Sequence, residues 1–266
     1  MDQFTEIYVE YVREVSHLKI WHVWELARRG EDPVSVHESL DRYVDLYRKT
    51  RYYDGGLCPT DEGFACQDWE LVKYEIDSIL QKHECETSSR RFERDCLALL
   101  WPLMESRLER DAQPPRKDPG RPHGCWTHTI REHTQLSLHI ANVYRPESPF
   151  DRMDEFAADL LALIQEARAS NPELDTLFCA TWMNHLPKFQ ALFPEGWIAS
   201  FHDPCEYGNS NGTWGQYIDR RGGFHRKNAK RFRATGRHPL LLGGCKCDLE
   251  QAVQHLQEQG WKKRLA

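Results

Sequence analysis

The sequence predicts an α+β protein: a helical N-terminal bundle followed by a small mixed α/β C-terminal domain. Three observations predict it. Apolar residues recur at helical spacing through most of residues 4–111. Four Pro and two Gly then crowd into residues 113–124. Beyond them the apolar period shortens to two. The expected organisation is a helical domain over 1–112, a proline-rich hinge over 113–124 and an α/β domain over 125–266.

The first helix is expected over 4–29, with Ile7, Tyr8, Tyr11, Val15, Leu18, Trp21 and Leu26 on its stripe and Gly30 as its stop. Asp32-Pro33 opens a second helix, Asp as cap and Pro at the first position, running to about Lys49. Residues 50–67 hold Gly55, Gly56 and Pro59 and read as a loop. Asp68 caps a third helix over 69–83, and a fourth spans 89–111 with a bend at Pro102. The hinge excludes helix and interior strand. After it, Leu136, Leu138 and Ile140 alternate with Gln135, Ser137 and His139, which predicts a strand over 131–141. A helix over 151–169 and a strand over Leu177–Trp182 complete a crossover unit. Residues 187–194 give a short helix, and Thr213-x-x-Gln216 a capping box for another at 214–219. A helix over 224–234 follows, then a short strand at Leu240–Leu242 and a last helix capped by Asp248.

Composition narrows the function classes. No apolar run approaches a membrane span, and the first residues, Met1-Asp2-Gln3-Phe4-Thr5-Glu6, lack a signal-peptide design; the expectation is a cytoplasmic protein with no membrane partner. The nine Cys are odd in number, irregular in spacing and without a C-x-x-C, so reduced thiols are expected. Residues 1–112 carry 24 acids against 15 bases and the remainder 17 against 20, so an anionic ligand would meet the second half. There is no G-x-S-x-G, P-loop, complete Rossmann glycine pattern or H-E-x-x-H. No nucleic-acid motif is present, and none is expected as a partner.

Three features carry candidate chemistry. His133, Gln135, Ser137 and His139 would share one face of the strand, either lining a site or facing water. Asn184 and His185 follow the second strand, where ligand groups gather in α/β sheets, His185 serving as a base or both serving as surface caps. The segment 220–238 holds eight Arg and Lys and no acid, with Gly222-Gly223 ahead of a helix. Arg220, Arg221, Arg226 and Lys227 could hold phosphate there, or the segment could pair with the acidic half of the chain.

Leu138-His139-Ile140, a helix, then Cys179-Ala180-Thr181-Trp182-Met183 resembles a pattern in acyltransferases whose helical N-terminal domain precedes a domain related to the general-control-type N-acetyltransferase fold. In that family a strand reading Leu-His-Ile-Pro leads through a helix to a strand reading Cys-His-Ser-Trp-Leu. The similarity covers residues 136–201. Ala180 stands where the family has its second histidine, and a turn through Asn142 lacks the proline. The resemblance implies an acyl-CoA co-substrate and an acyl transfer to a small amine or alcohol. His139 or His185 would be the base, Asn184 would position substrate, and the four basic residues would hold the CoA phosphates. Two alternatives stand beside it. One is a non-catalytic interaction module with an acidic helical half and a basic C-terminal face, its partner another protein or a second copy of the chain. The other is a metal-dependent enzyme using His128, Glu132, His133 or His185, although no metal-ligand spacing is present.

Overall fold

The computed structural model describes residues 3–30, 32–112, 121–202 and 210–261. In chain order the α-helices are α1 (Gln3–Ala27), α2 (Val36–Glu38), α3 (Gln67–Lys82), α4 (Arg90–Asp111), α5 (Met153–Ser170), α6 (Pro187–Gln190), α7 (Asn211–Trp214), α8 (Arg226–Thr235) and α9 (Leu249–Glu258). The strands are β1 (Trp126–Arg131), β2 (Gln135–Ile140), β3 (Thr176–Thr181) and β4 (Gly243–Asp248). The protein is α+β, as its sequence predicts. It divides into two compact units, Met1–Gln113 with Cys205–Pro239, and Pro114–Pro204 with Leu240–Ala266. The segment 205–239, assigned to the α/β half by sequence order, therefore belongs with the helices. Residues 113–120 of the hinge and Cys205 lie outside the described residues.

In the helical unit, α1, α3 and α4 bury Val12, Leu18, Trp21, Trp24, Trp69, Ile76, Phe92 and Leu100 in one core. Trp214, Tyr217, Ala229 and Phe232 join the same core, which is why the later segment packs here. The second predicted helix is broken. Its cap is Ser35, whose Oγ accepts from Glu38 N at 3.1 Å, not Asp32. After α2 the helix widens to a π-turn over Ser39–Tyr43, and Val44 is extended. That break leaves the Asp45 carbonyl free of a helix ladder, and the buried Lys19 ammonium takes it at 2.5 Å. Burial lowers Lys19 to about 8 against the opposing pull of Asp45. Asp68 lies inside the first turn of α3, with Cys66 at the cap. Ser210, not Thr213, caps α7, its Oγ accepting from Thr213 N at 3.1 Å.

In the α/β unit the sheet order is β1-β2-β3-β4, antiparallel, parallel and antiparallel in turn. The single strand expected over 131–141 is instead the second arm of a hairpin. Glu132 and His133 take left-handed backbone conformations, φ 51° and 64°, and turn the chain between β1 and β2. His133 therefore does not share the face of His139. Leu136, Leu138, Leu177, Cys179 and Cys245 point to one side of the sheet, where α5 and α9 cover them with Phe156, Leu160, Ile164, Leu249 and Leu256. The predicted strand at Leu240–Leu242 falls three residues late, through Gly243-Gly244-Cys245. Glycine is required there: a Cβ on Gly243 would lie 2.0 Å from the Phe201 ring, and one on Gly244 2.6 Å from Phe178. Asp248 caps α9 through Gln251 N at 2.9 Å, as predicted.

Candidate functional site

β2 and β3 are the only parallel neighbours in the described sheet, and their pairing stops early. Its register runs Gln135↔Thr176, Leu136↔Leu177 and Ser137↔Phe178. Yet β2 stays paired to β1 as far as Trp126↔Ile140, and β3 to β4 as far as Thr181↔Gly243. The two antiparallel pairs, β1–β2 and β3–β4, thus part after Ser137 and Phe178. The facing edges of Leu138–Ile140 and Cys179–Thr181 have no ladder partner in each other; Cys179 Sγ, 3.7 Å from Leu138 O, is a weak link across the gap.

The register also maps the face of the sheet away from α5 and α9, because directly paired residues point the same way. One row crosses it as Thr129, Ser137, Phe178 and Lys246. The next row, at the parted end, holds Thr127 and His139 on the β1–β2 hairpin and Ala180 and Gly244 on the β3–β4 pair. His139 is exposed, and its Nε2 lies 3.0 Å from Thr129 Oγ1. Desolvation against the sheet, helped by the charges of Arg131 and His128, lowers its pKa below the ordinary histidine value. The ring is thus neutral near pH 7, as a general base requires. The Arg131 guanidinium reaches over the Phe178 ring at 5.9 Å, and Ser137 and Phe178 beneath this layer are buried.

Asn184 and His185 occupy a 3-10 turn, Trp182–His185, directly after β3. Asn184 is 0% exposed. Its amide donates to Cys179 O at 3.0 Å and Gly243 O at 2.9 Å, and its Oδ1 accepts from Trp197 Nε1 at 3.0 Å. Those bonds tie β3, β4 and the Trp197 turn together and leave no amide hydrogen for a substrate. His185 Nε2 lies 3.0 Å from Leu241 O, with its ring edge-on to Phe201 at 4.9 Å. Donation to that carbonyl fixes the ring and leaves Nδ1 as its accepting nitrogen.

The four basic candidates lie in the helical unit. Arg226 pairs with Glu10 at 2.9 Å and approaches Glu14 at 3.8 Å. Arg220, Arg221 and Lys227 are exposed. The glycine turn does not offer the donors expected of it: Asp219 Oδ1 already accepts from Arg221 N at 2.8 Å and Gly223 N at 2.9 Å, and Asp219 O from Gly222 N. His225 caps α8, its Nδ1 accepting from Asn228 N at 3.2 Å. An acidic side chain and a histidine have taken the place of an anion.

Among the described residues, no three His, Cys, Asp or Glu side chains converge as metal ligands; His128, Glu132, His133 and His185 are not gathered. Nor is any described helix long and apolar enough to cross a membrane. The sequence did not single out His202, which lies in a stretch rich in Gly and Pro with no periodicity to place it. The structure pairs its backbone with Gly244 in both directions, 3.0 and 2.9 Å, and rests its ring against Phe178 at 6.0 Å. No family model matches this chain, and neither a curated protein nor a solved structure is significantly similar to it.

Proposed function

We propose that the α/β unit transfers an acyl group from a coenzyme A thioester to a small amine or alcohol, with His139 as general base. The parting of β2 and β3 beside His139 carries this reading. Parted parallel strands leave backbone N–H and C=O groups aimed into the gap, and an extended ligand bearing amides can pair with them as an added strand does. The pantetheine arm of coenzyme A is such a ligand. An edge N–H is also a fitting donor to the thioester oxygen as charge builds on it. The segments that resemble the acyltransferase pattern, Leu138–Ile140 and Cys179–Met183, coincide with the parted strand ends. His139, neutral at physiological pH and steadied by Thr129, would take the proton of the attacking nucleophile.

The reading does not draw on Arg220, Arg221, Arg226 or Lys227. The pairing of Arg226 with Glu10 and Glu14 favours the alternative in which the basic segment meets acids of its own chain. The test is thermal unfolding with acetyl-CoA and a longer acyl-CoA. A ligand at ten times its Kd should add about 1.4 kcal/mol, a rise of roughly 3–5 °C in Tm for a chain of this size. An unchanged Tm at millimolar concentration of both ligands rejects the reading.

A further inference from the structure

We propose that His202 is a second proton-transfer residue of this site, receiving a proton from the attacking nitrogen and passing it to the departing sulfur. The inference rests on the acyl-transfer reading above and adds to it a residue and a step.

The placement comes from the glycine beneath the ring. An ideal Cβ on Gly244 would lie 2.7 Å from His202 Cε1 and 2.9 Å from His202 Nε2, and 2.6 Å from Phe178 Cε2. His202 and Phe178 therefore occupy the side-chain face of Gly244. That is the face of Ala180, paired with Gly244, and of Ser137, paired with Phe178. His139, two residues beyond Ser137 on β2, points to the same face. His139 stands on β2 and His202 pairs with Gly244 beyond the outer edge of β4, so the small residues Ala180 and Gly244 lie between the two imidazoles on this face.

The orientation of the ring suits the role. His202 Nδ1 lies 3.3 Å from Ser200 O, and a carbonyl can only accept, so Nδ1 carries the hydrogen. In the neutral ring Nε2 is then the accepting nitrogen, and no partner occupies it among the described residues. The residue as a whole is exposed.

The chemistry needs two proton acceptors. A primary amine arrives at neutral pH as an ammonium ion. One proton leaves it before attack, to His139 and then to water. The N–C bond forms and the C–S bond breaks, and the nitrogen loses a second proton as the amide is completed. His202 Nε2 takes that proton and delivers it to the thiolate. The products are amide, free thiol and one proton in solution, and both histidines return to their starting forms.

The competing explanation is that His202 only fills the notch above Gly244. Purified full-length protein, acetyl-CoA and a panel of small primary amines decide between them, with thiol release as the readout over a range of pH. For His202→Gln, we expect kcat to fall about 100-fold, KM for acetyl-CoA to hold, and the pH profile to change shape. His202→Phe keeps a ring over Gly244 but removes both nitrogens, and should lower kcat in the same direction; it serves if His202→Gln does not fold, as judged by circular dichroism. A folded variant of either kind within twofold of wild type, with an unaltered pH profile, overturns the role of His202 and leaves the acyl-transfer reading standing. Wild-type protein that neither binds acetyl-CoA nor releases thiol overturns both.

Discussion

Arg233 lays two guanidinium nitrogens on the two carboxylate oxygens of Glu93, at 3.0 and 2.7 Å, and so ties α8 to α4 across 140 residues of sequence. Glu93 is nearly buried, 7% exposed, and Ser89 Oγ adds a bond at 2.7 Å while His17 stands 3.7 Å away. Burial alone would raise the acid, but the nearby His17 ring and the hydrogen bonds and charge of Arg233 outweigh it and hold the carboxyl at about 2. The guanidinium also sits over Trp21, 5.3 Å from the ring centroid. A bidentate contact on a buried acid is the kind of ion pair whose removal is costly.

Arg233→Met is expected to lower unfolding stability by about 3 kcal/mol, because it strands a buried carboxylate. Arg233→Lys should recover only part of the loss, since an ammonium cannot bridge both oxygens. Urea denaturation followed by Trp fluorescence measures both; equal stability of the Met variant and wild type would rule out the clamp.

His22 and His238 should make the helical unit acid-sensitive. Desolvation, with the nearby charges of His238 and Arg29, lowers His22 to about 3, and desolvation lowers His238 to about 4. Both stay neutral in the folded protein at pH values where the unfolded chain binds protons. Their contribution to stability is therefore fully present above about pH 6.5 and lost as pH falls toward 4. Each contributes up to about 1.4 kcal/mol per pH unit in that window. His22→Phe is expected to flatten the pH dependence of Tm between pH 6.5 and 4.5.

Asn184→Ala is expected to fail as a fold and not as a catalyst. It removes three side-chain hydrogen bonds and leaves the buried indole N–H of Trp197 without its acceptor. The expected cost is about 3 kcal/mol, read from chemical denaturation. A variant of wild-type stability that has lost only turnover would instead return Asn184 to a role with substrate.

His139→Gln is expected to lower acyl transfer about 100-fold with little change in acetyl-CoA affinity. In wild type, the acid limb of kcat/KM should lie below the ordinary histidine value of about 6.5, because desolvation and Arg131 favour the neutral ring. Arg131→Gln should move that limb upward. Movement downward would show that the Arg131 charge is not felt at His139.

The sequence by itself determined the elements whose signal is local. The apolar stripes of α1, α3, α4 and α5, the alternation of β2 and the Asp248 cap of α9 were all readable, because each depends on a period or on a side chain bonding a backbone group three residues away. Where a local rule failed, a distant partner had intervened. Lys19 takes the carbonyl of Asp45 where the second helix breaks, and Phe201 and Phe178 require two glycines in a strand that strand propensity rejects. The α+β class was therefore legible, and so was His139 as a polar residue on one strand face.

Tertiary structure alone decided what surrounds those residues. It assigned the basic segment to the helical unit, where buried Trp214 and Phe232 and the pairs Arg226–Glu10 and Arg233–Glu93 hold it. It turned Asn184 from a candidate ligand group into a buried brace, and it placed His202 on the same sheet face as His139, although 62 residues separate them in the chain. Periodicity reports which way a side chain points from its own element. Register, and the point at which two strands cease to pair, depend on contacts between segments far apart, and those are set only when the chain closes on itself.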